Sequence, residues 1–186
     1  MHVNIGNALA ETSPVGVPRS ALERLDERVA RAHERIQTGR RDGETGYVAL
    51  DLPDTTDPDT IEDAVGRLAG AETLLTIGIG GSSLGGATLA RALEGDRETV
   101  FLDNIDPAET HTLLESLDLG STALNVVSRS GTTAETLANF LVVRKAMTDA
   151  GVDWTERTLV TTGESGNLRQ LADTHNLPVL EVPPGV

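Results

Sequence analysis

Hydroxyl side chains and glycines gather at two places in this 186-residue chain. The first is Thr76-Ile-Gly-Ile-Gly-Gly-Ser-Ser-Leu-Gly85 and the second is Val126-Val-Ser-Arg-Ser-Gly-Thr-Thr-Ala-Glu-Thr136. Each stands where an apolar run gives way to a helical pattern. A helix start carries unpaired backbone N–H groups and the positive end of the peptide dipole, and glycine lets an anion approach without a Cβ in the way. The chemistry such a pair of turns can do is grip a phosphate. In the first run Gly78, Gly80 and Gly81 permit tight turning while Ser82 and Ser83 add donors. In the second, Ser128, Ser130, Thr132 and Thr133 surround Gly131 with four hydroxyls, and Arg129 brings a permanent positive charge. Serine and threonine also cap helices for purely local reasons. Four hydroxyls and an arginine within six residues exceed what one helix start requires.

These runs need strands and helices to hold them. From Thr73 the chain alternates: a strand at Leu74 to Ile79, a helix near Gly85 to Leu93, a strand at Thr99 to Leu102 and a helix from Asp106-Pro107 to Leu117. A strand at Ala123 to Val127, a helix at Thr133 to Ala150, a strand at Thr158 to Thr161, a helix at Ser165 to Thr174 and a last strand at Pro178 to Val182 follow. The pattern predicts an α/β fold, a doubly wound sheet of about five parallel strands in three layers with helices on both faces. Ligands of such sheets sit beyond the carboxyl ends of the strands, where the strand order reverses, and both hydroxyl runs lie at such ends.

Upstream, residues 1 to 17 are rich in Gly, Pro, Ser and Asn. Ser20 with Glu23 forms a capping-box pattern, and Leu22, Leu25, Val29, Ala32 and Ile36 recur at helical spacing until Gly39, which predicts one amphipathic helix. A short apolar run follows at Tyr47 to Leu50. Asp57-Pro58 opens a second helix through about Ala69. The expected organisation is an N-terminal segment over 1–56 and one α/β domain over 57–186.

Composition narrows the partners. Aspartate and glutamate number 29 against 15 lysines and arginines, a net charge of -14, and Lys145 is the single lysine. Nucleic acid and anionic membrane surfaces are poor partners for such a chain, and the carboxylate density with almost no lysine reads as a salt-adapted surface. The chain has no cysteine, which excludes disulfides and thiolate metal sites and fits an intracellular setting. Met1 to Pro18 has neither the basic stretch nor the apolar core of a signal peptide. No run approaches membrane-spanning length, so the expected location is cytoplasmic.

Other candidate chemistry is weaker. Gly78-Ile-Gly80 begins a dinucleotide fingerprint, and Asp103 stands where a ribose-binding acid belongs, but the third glycine position is Ser83 and the second hydroxyl run has no role in that scheme. No G-x-x-x-x-G-K-[ST] run exists. His2, His33, His111 and His175 read as solvated or packed rather than catalytic. Glu135, in the first turn of a helix, serves the dipole. Glu164 and Ser165 read as a helix cap, and Trp154 as a packing residue. No His/Asp/Glu cluster has metal-ligand spacing, so no metal is expected.

Three segments in order, Thr76 to Gly85, Phe101-Leu-Asp-Asn-Ile-Asp-Pro107 and Ser128-Arg-Ser-Gly-Thr-Thr-Ala-Glu-Thr136, resemble successive landmarks of the glucose-6-phosphate isomerase family. Ser-x-Ser-Gly-x-Thr alone is similar to sugar-isomerase (SIS) domains in general, and the first landmark narrows the match. The resemblance covers residues from about 60 to 186. It implies a SIS-type fold whose sugar phosphate, glucose 6-phosphate or fructose 6-phosphate, is held by Gly81, Ser82, Ser128, Arg129, Ser130, Thr133 and Thr136. Arg129 departs from the lysine of many members, and it still pairs with phosphate.

The resemblance also implies aldose–ketose isomerisation through a cis-enediol without an organic cofactor, and a homodimer as the complete enzyme. The general-base glutamate and its histidine, lysine and arginine companions would follow Val186 in a second SIS domain, so no catalytic group is expected in this chain and the chain alone would be inactive. Two other readings stay open at this point. One is a stand-alone SIS module that senses a phosphosugar, and the other is an NAD(P)-binding domain.

Overall fold

Among the described residues, five parallel strands form in the computed structural model: β1 (Thr73–Ile77), β2 (Glu98–Leu102), β3 (Thr122–Ser128), β4 (Thr158–Thr162) and β5 (Val179–Glu181). Their spatial order is β2-β1-β3-β4-β5. The structure describes residues 3–44, 46–93 and 95–186, which leaves His2 outside the described residues. The chain divides into two units, one running to Thr55 and taking in Gly185–Val186, the other spanning Thr56–Pro184.

In the second unit, alternation along the strands sorts side chains between two faces. Leu75 and Ile77 of β1, Leu124 and Val126 of β3 and Val160 of β4 share one face, beneath α6 (Pro107–Ser116), α7 (Ala134–Asp149) and α8 (Asn167–His175). Phe140, Val143 and Met147 of α7 and Leu168 of α8 are fully buried there. Each such side chain stabilises by roughly 1.5–3 kcal/mol, so α7, which buries three large ones, is held firmly against the sheet. Leu74, Ala123, Leu159 and Leu180 face the other way, packed with Ala64 of α4 (Pro58–Gly66) and with Leu68 just beyond it. On that face α5 (Gly81–Ala92) runs beside β2, with Gly86 against the Phe101 ring. The result is the predicted three-layer α/β sheet with helices on both sides.

Two predicted helix starts form as read. Asp57 accepts from the Asp59 amide at 3.1 Å, and Asp106 accepts from the Ala108 and Glu109 amides at 2.8 and 3.0 Å, each ahead of a proline at the first helical position. Other boundaries move. β1 ends at Ile77 rather than Ile79, and α5 starts at Gly81 rather than Gly85. Gly80, at φ 59°, makes the chain turn early, and Gly85 and Gly86 sit inside the helix, the latter beside the Phe101 ring. No side-chain cap opens α8, whose N-cap is Gly166, so Ser165 is not the cap expected of it.

In the first unit the single amphipathic helix is divided into α1 (Arg19–Glu23) and α2 (Asp26–Arg41), with α3 at Leu52–Thr55. Ser20 lies within α1, whose N-cap is Pro18 with no side-chain bond, so the capping box does not form. Asp26 and Glu27 restart the helix, where carboxylates favour the positive dipole end. Gly39 does not stop it. The Tyr47 ring packs so closely on Gly39 that a Cβ there would come within 2.5 Å, which explains a glycine two residues before the helix ends. Leu25 and Val29 of the expected apolar face are exposed. Arg40 pairs with Asp51 in this unit. Among the described residues no helix is long and apolar enough to cross a membrane.

Candidate functional site

Strand order reverses between β1 and β3. β1 leads through α5 outward to β2, whereas β3 leads through α7 in the opposite direction to β4, which opens a crevice at their carboxyl ends. Both hydroxyl runs stand there. The sheet register sets Ile77 beside Val126, so the turn after β1 and the last residues of β3 are neighbours.

The turn after β3 is built from hydroxyls that bond to one another. Ser128, the last residue of the strand, is 1% exposed, and its Oγ donates to Thr133 Oγ1 at 3.1 Å. Ser130 Oγ lies 3.4 Å from the same Thr133 oxygen and accepts from the Thr132 amide and hydroxyl, both at 3.2 Å. Thr133 is the N-cap residue of α7, yet its side chain makes no capping bond to that helix. The first turn of α7 therefore lacks a side-chain cap and directs its dipole at the crevice. Thr136, three residues on, is 1% exposed, and its Oγ1 is a buried side-chain atom without a hydrogen-bond partner. A buried hydroxyl in that state is disfavoured by about 1–3 kcal/mol unless something completes it. Arg129 is exposed, and its carbonyl accepts from the Gly163 amide at 3.1 Å.

The turn after β1 contributes backbone rather than side chains. Gly80 takes φ 59° and caps α5 without a side chain. Gly81 is exposed, and a Cβ on either glycine would meet nothing within 4 Å. Ser82 is half-buried in the first turn of α5. Gly78 closes the turn: a Cβ there would sit 3.0 Å from the Ser82 carbonyl.

The structure thus brings Gly81 and Ser82 to one side of the crevice and Ser128, Arg129, Ser130 and Thr133 to the other, with Thr136 one turn further into α7 and its hydroxyl shielded from solvent. Ser83 is separated from them. It is fully buried, and its Oγ lies 3.5 Å from Asp103 Oδ2, so the serine in the third fingerprint position engages the carboxylate that a dinucleotide ribose would need. Glu135 is exposed in the first turn of α7. His111 is exposed beside Glu115 at 3.4 Å, and His175 stacks edge-on against Trp154 with centroids 4.9 Å apart. Trp154 also meets Phe140 at 5.7 Å and lies under the Arg144 guanidinium, which is the packing role expected of it. Among the described residues no group of three His, Asp or Glu side chains gathers where it could hold a metal ion.

One feature of the crevice escaped the sequence reading. Asn139, 5% exposed on α7, donates through Nδ2 to the Asn104 carbonyl at 2.9 Å. The segment between β2 and α6 is thereby tied to the helix that starts at the second hydroxyl run. An asparagine one turn beyond Thr136, on the helix face that carries Phe140, Val143 and Met147, was the available signal.

Comparison with known proteins gives the same direction. Residues 64–170 match the family model for phosphoglucose isomerase. The chain is 60% identical over its whole length to a probable glucose-6-phosphate isomerase of Haloarcula marismortui, of which it covers 43%. A solved structure of a hypothetical protein from Thermus thermophilus superimposes with a TM-score of 0.79 at 34% identity, covering 90% of this chain and 41% of that one. A glucose-6-phosphate isomerase from Chlamydia trachomatis superimposes with a TM-score of 0.60 at 31% identity, covering 67% of this chain and 25% of that one. The chain spans less than half the length of the curated relatives it matches.

Proposed function

This chain belongs to the phosphoglucose isomerase family, and we propose that it is the sugar-phosphate-binding part of a glucose-6-phosphate isomerase, which interconverts glucose 6-phosphate and fructose 6-phosphate. The observation that carries the reading is the behaviour of Thr133: as N-cap of α7 it makes no capping bond and turns its hydroxyl to Ser128 and Ser130. That leaves a dipole end ringed by donors, which is what a phosphate dianion requires.

In this reading Ser128, Ser130, Thr133 and the Arg129 guanidinium hold the phosphate on one side, Gly81 backbone and Ser82 meet it on the other, and the unmet Thr136 hydroxyl, in the first turns of α7, joins the cradle when the ligand is bound. The isomerisation moves a proton between C2 and C1 of the opened sugar. It needs a general base, an acid/base for ring opening and a cation near the developing negative charge. Those groups would come from the remainder of a longer polypeptide in which residues 57–186 are the first of two SIS domains. Gripping the phosphate fixes the distance from its anchor to C1 and C2, so that remote binding energy positions the reacting carbons. The reading extends to a cytoplasmic homodimer, in keeping with a chain that lacks cysteine and resembles a glycolytic enzyme.

The test is isothermal titration of the chain with fructose 6-phosphate in concentrated salt, paired with a coupled isomerase assay on the same sample. Saturable binding without turnover is expected. Ser128→Ala or Thr133→Ala should weaken that binding about tenfold, the effect of one hydrogen bond to a charged group. Absence of binding overturns the reading, and turnover would place the base within this chain.

A further inference from the structure

The crevice has a third wall. β2 lies next to β1, and the Gly78 amide continues their pairing by donating to the Leu102 carbonyl at 3.3 Å. The segment Asp103-Asn104-Ile105-Asp106 therefore leaves the sheet directly beside the glycine turn. Its shape is set locally: the Asn104 side chain accepts from the Ile105 amide at 2.7 Å and donates to Glu109 at 3.0 Å, while Asp106 caps α6. The Asn139 side chain ties the segment to α7, the helix that starts at the second hydroxyl run.

Asn139 and Thr136 lie three residues apart on α7, hence on the same face. Both are nearly or fully buried, and α7 packs against β1 as well as β3. From this face Asn139 reaches 35 residues back along the chain to the Asn104 carbonyl. A buried amide placed so accepts or donates with good geometry or destabilises its surroundings. We infer that Asn139 is a positioning residue for the sugar phosphate. By fastening the Asp103–Asp106 segment to α7, it makes the segment beside the glycine turn and the helix end that meets the phosphate move as one body. The inference rests on the phosphate reading proposed above. Ligand gripped at the α7 N-terminus would then order the 103–106 segment without touching it.

The variant that isolates the donor is Asn139→Asp, which keeps the shape and replaces the amide by a carboxylate facing a carbonyl. Burial raises the pKa of a carboxyl at this position, and the carboxylates borne by the elements it joins, Asp103 and Asp106 on the tied segment, Glu109 in α6 and Glu135 one turn back on α7, push the same way. Below that pKa the protonated carboxyl is again a donor to Asn104. Fructose 6-phosphate affinity is measured for variant and unaltered chain at pH 8 and at pH 5.5, and only the ratio of the two is read, because the ligand phosphate titrates as well. The expected ratio is about tenfold weaker at pH 8, the loss of one well-made bond to a coupled site, shrinking to within about threefold at pH 5.5. A folded variant whose affinity matches the unaltered chain at pH 8, or whose deficit is the same at both values, overturns the inference.

Hydrogen exchange of the unaltered chain gives a second measurement that does not depend on a variant folding. Saturating fructose 6-phosphate should slow exchange at Asn104 and Ile105 as well as in the first turn of α7. Protection of α7 alone overturns the coupling. Should the unaltered chain bind no fructose 6-phosphate at all, the phosphate reading itself fails, an outcome separate from either of these.

Discussion

The turn after β1 and the turn after β3 use the same device on opposite sides of one crevice, and their glycines are there for different reasons. Each has a glycine with positive φ, Gly80 at 59° and Gly131 at 65°. Around Gly131 the protein closes in: a Cβ would lie 2.7 Å from the Ser165 carbonyl and 3.1 Å from Thr162 Oγ1. Its own carbonyl accepts from the Leu168 amide at 2.9 Å, and the neighbouring Arg129 carbonyl accepts from Gly163. Around Gly80 and Gly81 there is nothing within 4 Å to exclude a Cβ. Gly81 also takes part in α5 with an ordinary helical backbone, so neither conformation nor packing demands a glycine there. The comparison separates a turn locked into its own protein, which presents hydroxyls, from a turn kept bare on its outer side, which offers room and backbone.

The largest effect should follow from filling the locked turn. Gly131→Ala places an L side chain in the left-handed region, disfavoured by about 1–3 kcal/mol, and drives its methyl into backbone atoms that cannot rotate away. A loss of about 3 kcal/mol is expected, roughly a 10 °C fall in the thermal midpoint for a chain of this size, together with loss of phosphosugar binding. Thermal unfolding followed by circular dichroism measures it. A loss below about 1 kcal/mol would mean that the β3 turn can yield, and the contrast between the turns would disappear.

Gly81→Ala should break binding and leave folding alone. Alanine in a helical position gains up to about 0.5–1 kcal/mol over glycine through the unfolded chain, so the midpoint should hold or rise slightly. The added methyl stands in the space assigned to the ligand, and fructose 6-phosphate affinity should fall about tenfold, comparable to losing one charge-assisted hydrogen bond. A falling midpoint with intact affinity would make Gly81 a packing glycine and reverse its assignment.

Much of this contrast was legible in the residues themselves, and the part that was not has physical causes. The five strands and the helices after them follow from apolar alternation and from Asp-Pro starts such as Asp106-Pro107, which are local signals. The hydroxyl run Ser128 to Thr133 announced itself by density alone. The early start of α5 did not, because Gly81, Gly85 and Gly86 weaken local helix propensity and the helix forms by packing on β2, with Phe101 lying over Gly86. The break between α1 and α2 was hidden by an unbroken apolar spacing at Leu22, Leu25 and Val29, two of which the structure leaves exposed. Asn139 was missed because its partner is a main-chain carbonyl 35 residues away. Nothing in the identity of residue 104 announces that bond.

The smallest effects should come from two threonines beside the locked turn, and they should differ in sign. Thr162, fully buried, donates to the Ser128 carbonyl at 2.7 Å, whereas Thr136, equally sheltered, has no partner for its hydroxyl. Valine matches threonine in volume and removes the hydroxyl from each. Thr162→Val gives up a formed hydrogen bond, although the Ser128 carbonyl still accepts from the Gly131 amide at 3.1 Å, and should lower stability by about 1 kcal/mol. Thr136→Val removes an unmet polar group and should raise stability by up to about 1 kcal/mol in the ligand-free chain. Fructose 6-phosphate should reverse the second result: if the Thr136 hydroxyl is completed by the bound phosphate, the variant gains less thermal protection from ligand than the unaltered chain does. Equal protection in both would confine Thr136 to the fold, and the cradle on that side would then consist of the Ser128, Ser130 and Thr133 hydroxyls with the Arg129 guanidinium.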